Sequence, residues 1–218
     1  MLHTSDRRVG VFIDVQNMYY SARNLFNRKV NFSNIVKDTV GDGKLIRAIA
    51  YTISTKGGEE EAFFEALRKN GIEVMSKELL EFHGGNKKGD WDVGITMDIV
   101  RMLDMLDVVV LVSGDGDFVA LSDYVRSRGR IFHVASFRES TSSILLESVD
   151  KYTNLSEHKR KFLIGSSRGG NAKSTRSSKS KSTSEGSEET QEADFVEVHT
   201  NDADLEQIQE ERGKRLNF

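Results

Sequence analysis

The 218-residue chain is 37% hydrophobic and 30% charged, with formal net charge −3 and mean hydropathy −0.46. It has no cysteine, which excludes disulfides, thiolate metal sites and cysteine nucleophiles. No apolar run approaches the roughly 18–20 residues that span a bilayer, and the polar start Met1–Arg8 lacks a signal peptide's apolar stretch, so a cytoplasmic protein without a membrane partner is expected.

The predicted elements alternate along the chain. Val9–Ile13 is a short β-branched run and reads as a buried strand, followed at once by Asp14. Met18–Phe26 has helical spacing, and Lys44–Ile53 is a second strand after the turn signal Gly41-Asp42-Gly43. Glu59–Lys69 is a helix with Gly71 at its C-terminal cap, and Ile72–Ser76 a third strand. Leu80–Asp90 is a polar, Gly-rich loop. Asp92–Met105 is an amphipathic helix, Val108–Val112 a fully buried fourth strand, and Phe118–Arg126 a helix ended near Gly129. Arg130–Ala135 is a fifth strand and Ser142–Val149 a last helix. The strand runs are continuously apolar rather than alternating, which implies a mainly parallel sheet covered on both faces: a three-layer α/β/α domain.

Charge and composition place its boundary. Residues 1–164 carry 23 Lys+Arg against 23 Asp+Glu, and 165–190 hold 9 Ser and a single hydrophobic residue, Ala172. Such a stretch buries too little apolar surface to offset its ordering entropy. The expectation is a domain over 1–164 and, over 165–218, a disordered Ser-rich linker with an acidic tail. That basic linker would add salt-sensitive affinity for nucleic acid.

In open α/β sheets ligands bind at the carboxyl ends of the strands. Asp14 and Asn17 follow the first strand; Ser113, Asp115 and Asp117 follow the fourth; Asp92 and Asp98 lie on the helix that leads into it. Three segments thus direct acids toward one edge. Gathered carboxylates repel unless a cation neutralises them, and an oxygen-only donor set favours Mg²⁺ or Mn²⁺. The competing explanation is helix capping: Asp92 and Asp117 each stand where an N-cap would. Asp98, six residues beyond Asp92, can share a centre with it only if Asp92 belongs to the preceding loop. Asp90, Asp104, Asp107 and Asp123 are expected to be solvated or to cap helices. His133 reads as a core histidine and Trp91 as a packing residue. No dinucleotide fingerprint, phosphate-cradling loop or zinc spacing is present.

FIDVQNMYYSARNL, KKGDWDVGITMDI and VVVLVSGDGDFVALSDYVRSRGRIFHVASF together resemble the NYN domain family in its LabA-like branch, relatives of the PIN-domain nucleases, over about residues 8–155. The resemblance implies a PIN-like fold and a metal-dependent ribonuclease. Its acidic positions fall on Asp14, Asp92, Asp115 and Asp117, with Asp14 and Asp115 expected as direct metal ligands, Asp92 and Asp117 completing the site directly or through water, and Asp98 a further acid; its early polar position falls on Asn17 and its hydroxyl on Ser113. One or two Mg²⁺ or Mn²⁺ ions would be the cofactor, and RNA the partner, cut to 5′-phosphate and 3′-hydroxyl ends. Lys87, Lys88 and Arg138 are candidates to meet substrate phosphates. Val15 departs from the family, where Gly is frequent. Two other readings remain open: a regulatory RNA-binding or adaptor protein with weak or no catalysis, and a Mg²⁺-dependent phosphatase, whose usual second Asp is replaced by Gln16. Self-association and a protein partner for the acidic tail are also open.

Overall fold

The computed structural model describes residues 4–54, 60–78, 80–81, 87–88 and 90–165. Among these, β1 (Arg8–Asp14), α1 (Val15–Phe26), β2 (Lys29–Val30), α2 (Phe32–Val40), β3 (Lys44–Ser54), α3 (Glu61–Lys69) and β4 (Glu73–Glu78) form the first half. A two-residue antiparallel pair, β5 (Leu80–Glu81) and β6 (Lys87–Lys88), leads to α4 (Asp92–Met102) and β7 (Val108–Val112). Then come α5 (Val119–Ser127), β8 (Ile131–Ser136), α6 (Ser143–Glu147), β9 (Lys151–Asn154), α7 (Lys159–Phe162) and β10 (Leu163–Ile164).

The central sheet has six strands in the order β4-β3-β1-β7-β8-β9, every pairing parallel. Successive strand residues point to opposite faces, and both faces are apolar. Val9, Val11 and Ile13 of β1 enter one core with Val15, Met18 and Ala22 of α1, Ile35 and Val36 of α2 and Leu67 of α3. Phe12 enters the other, with Ile95 and Ile99 of α4, Leu121 and Val125 of α5 and Leu145 of α6. This is why the strand sequences run apolar without alternation: the sheet is the middle of three layers.

The strand order has one reversal. From β1 the chain moves outward through β3 and β4, crosses to β7, and then moves outward the other way through β8 and β9. The helices change face with the direction, as right-handed crossovers require. The switch point therefore lies between β1 and β7, the place where open parallel sheets leave a crevice at their carboxyl edge.

Among the described residues, α2, β9 and the two- to four-residue β2, β5, β6, α7 and β10 escape the sequence patterns. α2 is only nine residues, and β9 is a half-exposed edge strand, KYTN, with no apolar run. α4 ends at Met102 and continues as a 3-10 turn over Leu103–Met105. No helix among the described residues is long and apolar enough to cross a membrane. The Ser-rich linker and acidic tail expected after residue 164 lie outside the described residues, apart from Gly165.

Candidate metal centre

β1 and β7 are in register from Val9↔Val108 to Ile13↔Val112, so Asp14 and Ser113 leave the sheet side by side. Asp14 is the N-cap of α1: its Oδ1 accepts the Asn17 backbone N–H at 3.0 Å. Its other oxygen accepts the Ser113 hydroxyl at 3.4 Å. Asp14 is only 5% exposed. The Ser113 oxygen in turn accepts the Asp115 N–H at 3.3 Å, and Asn17 Oδ1 accepts the Gly114 N–H at 3.1 Å. Asn17 and Ser113 thus stitch the start of α1 to the loop after β7.

That loop presents the outer carboxylates. Asp115 caps the 3-10 helix Gly116–Phe118, its Oδ1 accepting the Asp117 N–H at 3.1 Å. Asp92 is the first residue of α4, where a carboxylate is favoured by the helix dipole. Asp92, Asp115 and Asp117 each offer an oxygen within 4.8 Å of the others, a grouping that fits a metal ion. Asp92 and Asp115 are half-buried and Asp117 is exposed. Asp14 is outside this trio and lies one hydrogen-bond step below it, through Ser113. Neither Asp92 nor Asp117 is the helix cap expected of it, since Trp91 and Phe118 hold those positions, whereas Asp115 both caps and clusters.

Asp98 belongs to a different arrangement. Asp92 is helical, so six further residues turn Asp98 well away from it. Its oxygens accept the Tyr51 hydroxyl at 3.0 Å and Arg101 Nη1 at 3.3 Å. Burial, with Asp98 as a negative neighbour, pushes the Tyr51 pKa up, so Tyr51 stays a donor. Asp98 lies outside the grouped carboxylates.

The glycines on either side of Asp115 allow a close approach between two loops. A Cβ on Gly114 would come within 2.7 Å of the Ser140 carbonyl oxygen, and one on Gly116 within 2.8 Å of Ser142 Oγ. They allow the loop after β8 to pack against the loop after β7, locked by the Ser142 N–H to Gly114 carbonyl bond at 2.9 Å. That contact joins segments 26 residues apart, so no local sequence pattern carries it.

Arg138 opens the 3-10 helix after β8 and is exposed. Lys87 and Lys88 form β6, and their side chains lie outside the described residues. Trp91 packs: its indole N–H donates to the Thr52 carbonyl at 2.7 Å, and its ring meets Tyr51 at 5.2 Å. His133 is buried, its Nε2 2.8 Å from Thr153 Oγ1. Burial, with Lys151 nearby, pushes its pKa down to about 4 against a weaker opposing pull from Asp38. Asp107 is neither solvated nor a cap: it accepts Arg8 Nε and Nη2 at 3.0 and 2.8 Å and Arg130 at 3.4 Å, clamping the amino edge. Asp104 pairs with Arg128 at 3.4 Å.

The chain is 28% identical over 165 residues to the Low amplitude and bright protein LabA of Synechococcus elongatus, covering 69% of this chain and 84% of that one. It superposes on the crystal structure of a Vibrio parahaemolyticus protein of unknown function with a TM-score of 0.68 and 30% identity, over 75% of this chain and all of the other. The NYN domain matches residues 8–156. That span opens on the first residue of β1 and closes two residues past β9, so it takes in the whole six-stranded sheet and all three grouped carboxylates: the chain belongs to the NYN domain family.

Proposed function

We propose that the protein is a metal-dependent endoribonuclease that hydrolyses RNA phosphodiesters to 5′-phosphate and 3′-hydroxyl ends. The observation that carries this reading is the convergence of Asp92, Asp115 and Asp117 oxygens within 4.8 Å of one another at the sheet's switch point, in a chain of a PIN-like nuclease family. The donor set is all carboxylate oxygen, which suits Mg²⁺ or Mn²⁺. One or two such ions would supply charge neutralisation and an acidified water for attack on phosphorus.

The chain's own residues divide the remaining work. Asp92, Asp115 and Asp117 hold the cation. Asp14, buried and doubly hydrogen-bonded, anchors Ser113 and through it the Asp115 backbone, so its negative charge supports the centre from below. Asn17 fixes the loop at Gly114. Arg138, with Lys87 and Lys88 ahead of α4, receives substrate phosphates. Asp98 has no part in the centre; its oxygens serve Tyr51 and Arg101.

The test is incubation of the purified protein with mixed RNA in Mg²⁺, Mn²⁺ or EDTA, beside an Asp115→Asn control. Cleavage that needs the metal and fails in the control, with 5′-phosphate ends on the products, is expected. Cleavage that survives both EDTA and Asp115→Asn would place the activity elsewhere and sink the reading.

A further inference from the structure

A run of positive charge follows the last strand of the sheet. β9 ends at Asn154, level with Ser136 at the end of β8. The 3-10 helix Leu155–His158 therefore begins at the carboxyl edge, and α7 follows it, packing against α2 with Lys161 beside Asp38. His158, Lys159, Arg160 and Lys161 are all exposed. Arg160 makes no ion pair among the described residues. Lys159 lies over the Phe26 ring at 4.2 Å, and Lys161 pairs with Asp38 while its side chain stays 49% exposed.

Ser156 ties this run to the loop after β8. Its oxygen accepts the Arg138 N–H at 3.3 Å, and its hydroxyl donates to Glu139. That hydroxyl holds the Glu139 carboxyl below its usual range, with Lys159 and Arg138 adding to the effect, so the two cations share one neighbourhood. One residue further, Ser140 and Thr141 press on Gly114, next to Asp115. The loop after β8 therefore meets Ser156 on one side and the loop that carries Asp115 on the other. The sequence also segregates charge: 158–184 contain eight Lys/Arg and no Asp/Glu, while 185–211 contain eleven Asp/Glu and no Lys/Arg.

We propose that Lys159, Arg160 and Lys161, with His158 and Arg138, form a backbone-binding surface for single-stranded RNA on the β9 side of the carboxylate centre. The identity of the polymer rests on the ribonuclease reading above; the surface itself does not. A carboxylate cluster repels a polyanion, so affinity for RNA must come from cations beside the cluster rather than in it. Exposed Lys and Arg with no base-reading pocket around them position a strand without selecting its sequence.

The experiment uses the full chain carrying Asp115→Asn, in EDTA, with a labelled oligouridylate, followed by anisotropy over a salt series. Adding Lys159→Gln, Arg160→Gln and Lys161→Gln together should reduce the slope of log K against log salt by about 2, so that roughly 20-fold less affinity is lost between about 50 and 200 mM. The triple substitution in the wild-type background should leave the Mn²⁺-induced rise in melting temperature unchanged. Arg160→Gln alone, at an exposed guanidinium, should lower the slope by about 0.7 and keeps the test sound if the triple variant folds poorly. Unchanged slopes in both variants overturn the proposal. Binding of polyglutamate much more tightly than of the oligouridylate at equal charge and salt also overturns it, marking the surface as a site for acidic protein segments. Salt-dependent binding without any metal-dependent cleavage by the wild type would remove the ribonuclease reading and leave the surface standing.

Discussion

Asp115 and Asp14 differ in what surrounds them, and their substitutions should differ accordingly. Asp115→Asn keeps an acceptor for the Asp117 N–H and removes one charge from a crowded trio. In EDTA it should melt higher than wild type by about 2–4 °C, on the order of 1 kcal/mol of relieved repulsion. Adding Mn²⁺ should raise the wild-type melting temperature and leave the variant nearly unmoved, since a ligand stabilises only the state that binds it. A variant that melts lower in EDTA would mean that Asp115 is a cap and nothing more. Asp14→Asn preserves the α1 cap, because Asn caps as well as Asp, whereas Asp14→Ala should cost about 1 kcal/mol, read by denaturant unfolding. Equal stability of the Ala and Asn variants would contradict the capping geometry.

At the scale of elements, the centre depends on two loops fitting together. Gly114→Ala would place a methyl 2.7 Å from the Ser140 carbonyl oxygen, backbone against backbone, so neither side yields easily. A cost of about 1–3 kcal/mol is expected from such overpacking, together with loss of the Mn²⁺-induced melting shift as Asp115 moves. Retention of both stability and metal response would show that the loops after β7 and β8 slide freely. The glycine pair SGDG was visible in the sequence; its reason was not, because the partner loop lies more than twenty residues away. Asp98 carries the same lesson in reverse. The family resemblance suggested it as a further acid, yet its place on α4 sets its oxygens on Tyr51 and Arg101.

For the whole molecule, His133 couples folding to pH. Its folded pKa, about 4, lies below the ordinary value near 6.5, so the neutral ring is preferred in the fold. Stability from this group is complete above about pH 6.5 and falls as pH drops toward 4, by up to roughly 3 kcal/mol. His133→Asn should flatten the melting-temperature profile across that window while keeping a polar partner for Thr153. An unchanged profile would mean that the ring is solvated. Asp107 acts in a separate, lower range. Arg8 holds its pKa down to about 2, so its contribution persists above about pH 3.8 and is lost below it.

The sequence by itself determined the layer architecture, because continuously apolar strands between amphipathic helices admit no other arrangement that buries both faces. It also determined that acids follow β1 and β7, since FID and SGDGD abut apolar runs whose ends are sharp. It missed α2, too short to show a clear period, β9, an edge strand without an apolar signature, and the two- to four-residue β2, β5, β6, α7 and β10. Only the tertiary structure decided that β1 and β7 are neighbours across the reversal in strand order. Only there do Asp92, Asp115 and Asp117 become one group, with Asp14 beneath and Asp98 left out. The physical reason is that local patterning encodes which face of an element is buried, whereas the meeting of side chains from segments nearly a hundred residues apart depends on strand order and register, which no local pattern carries.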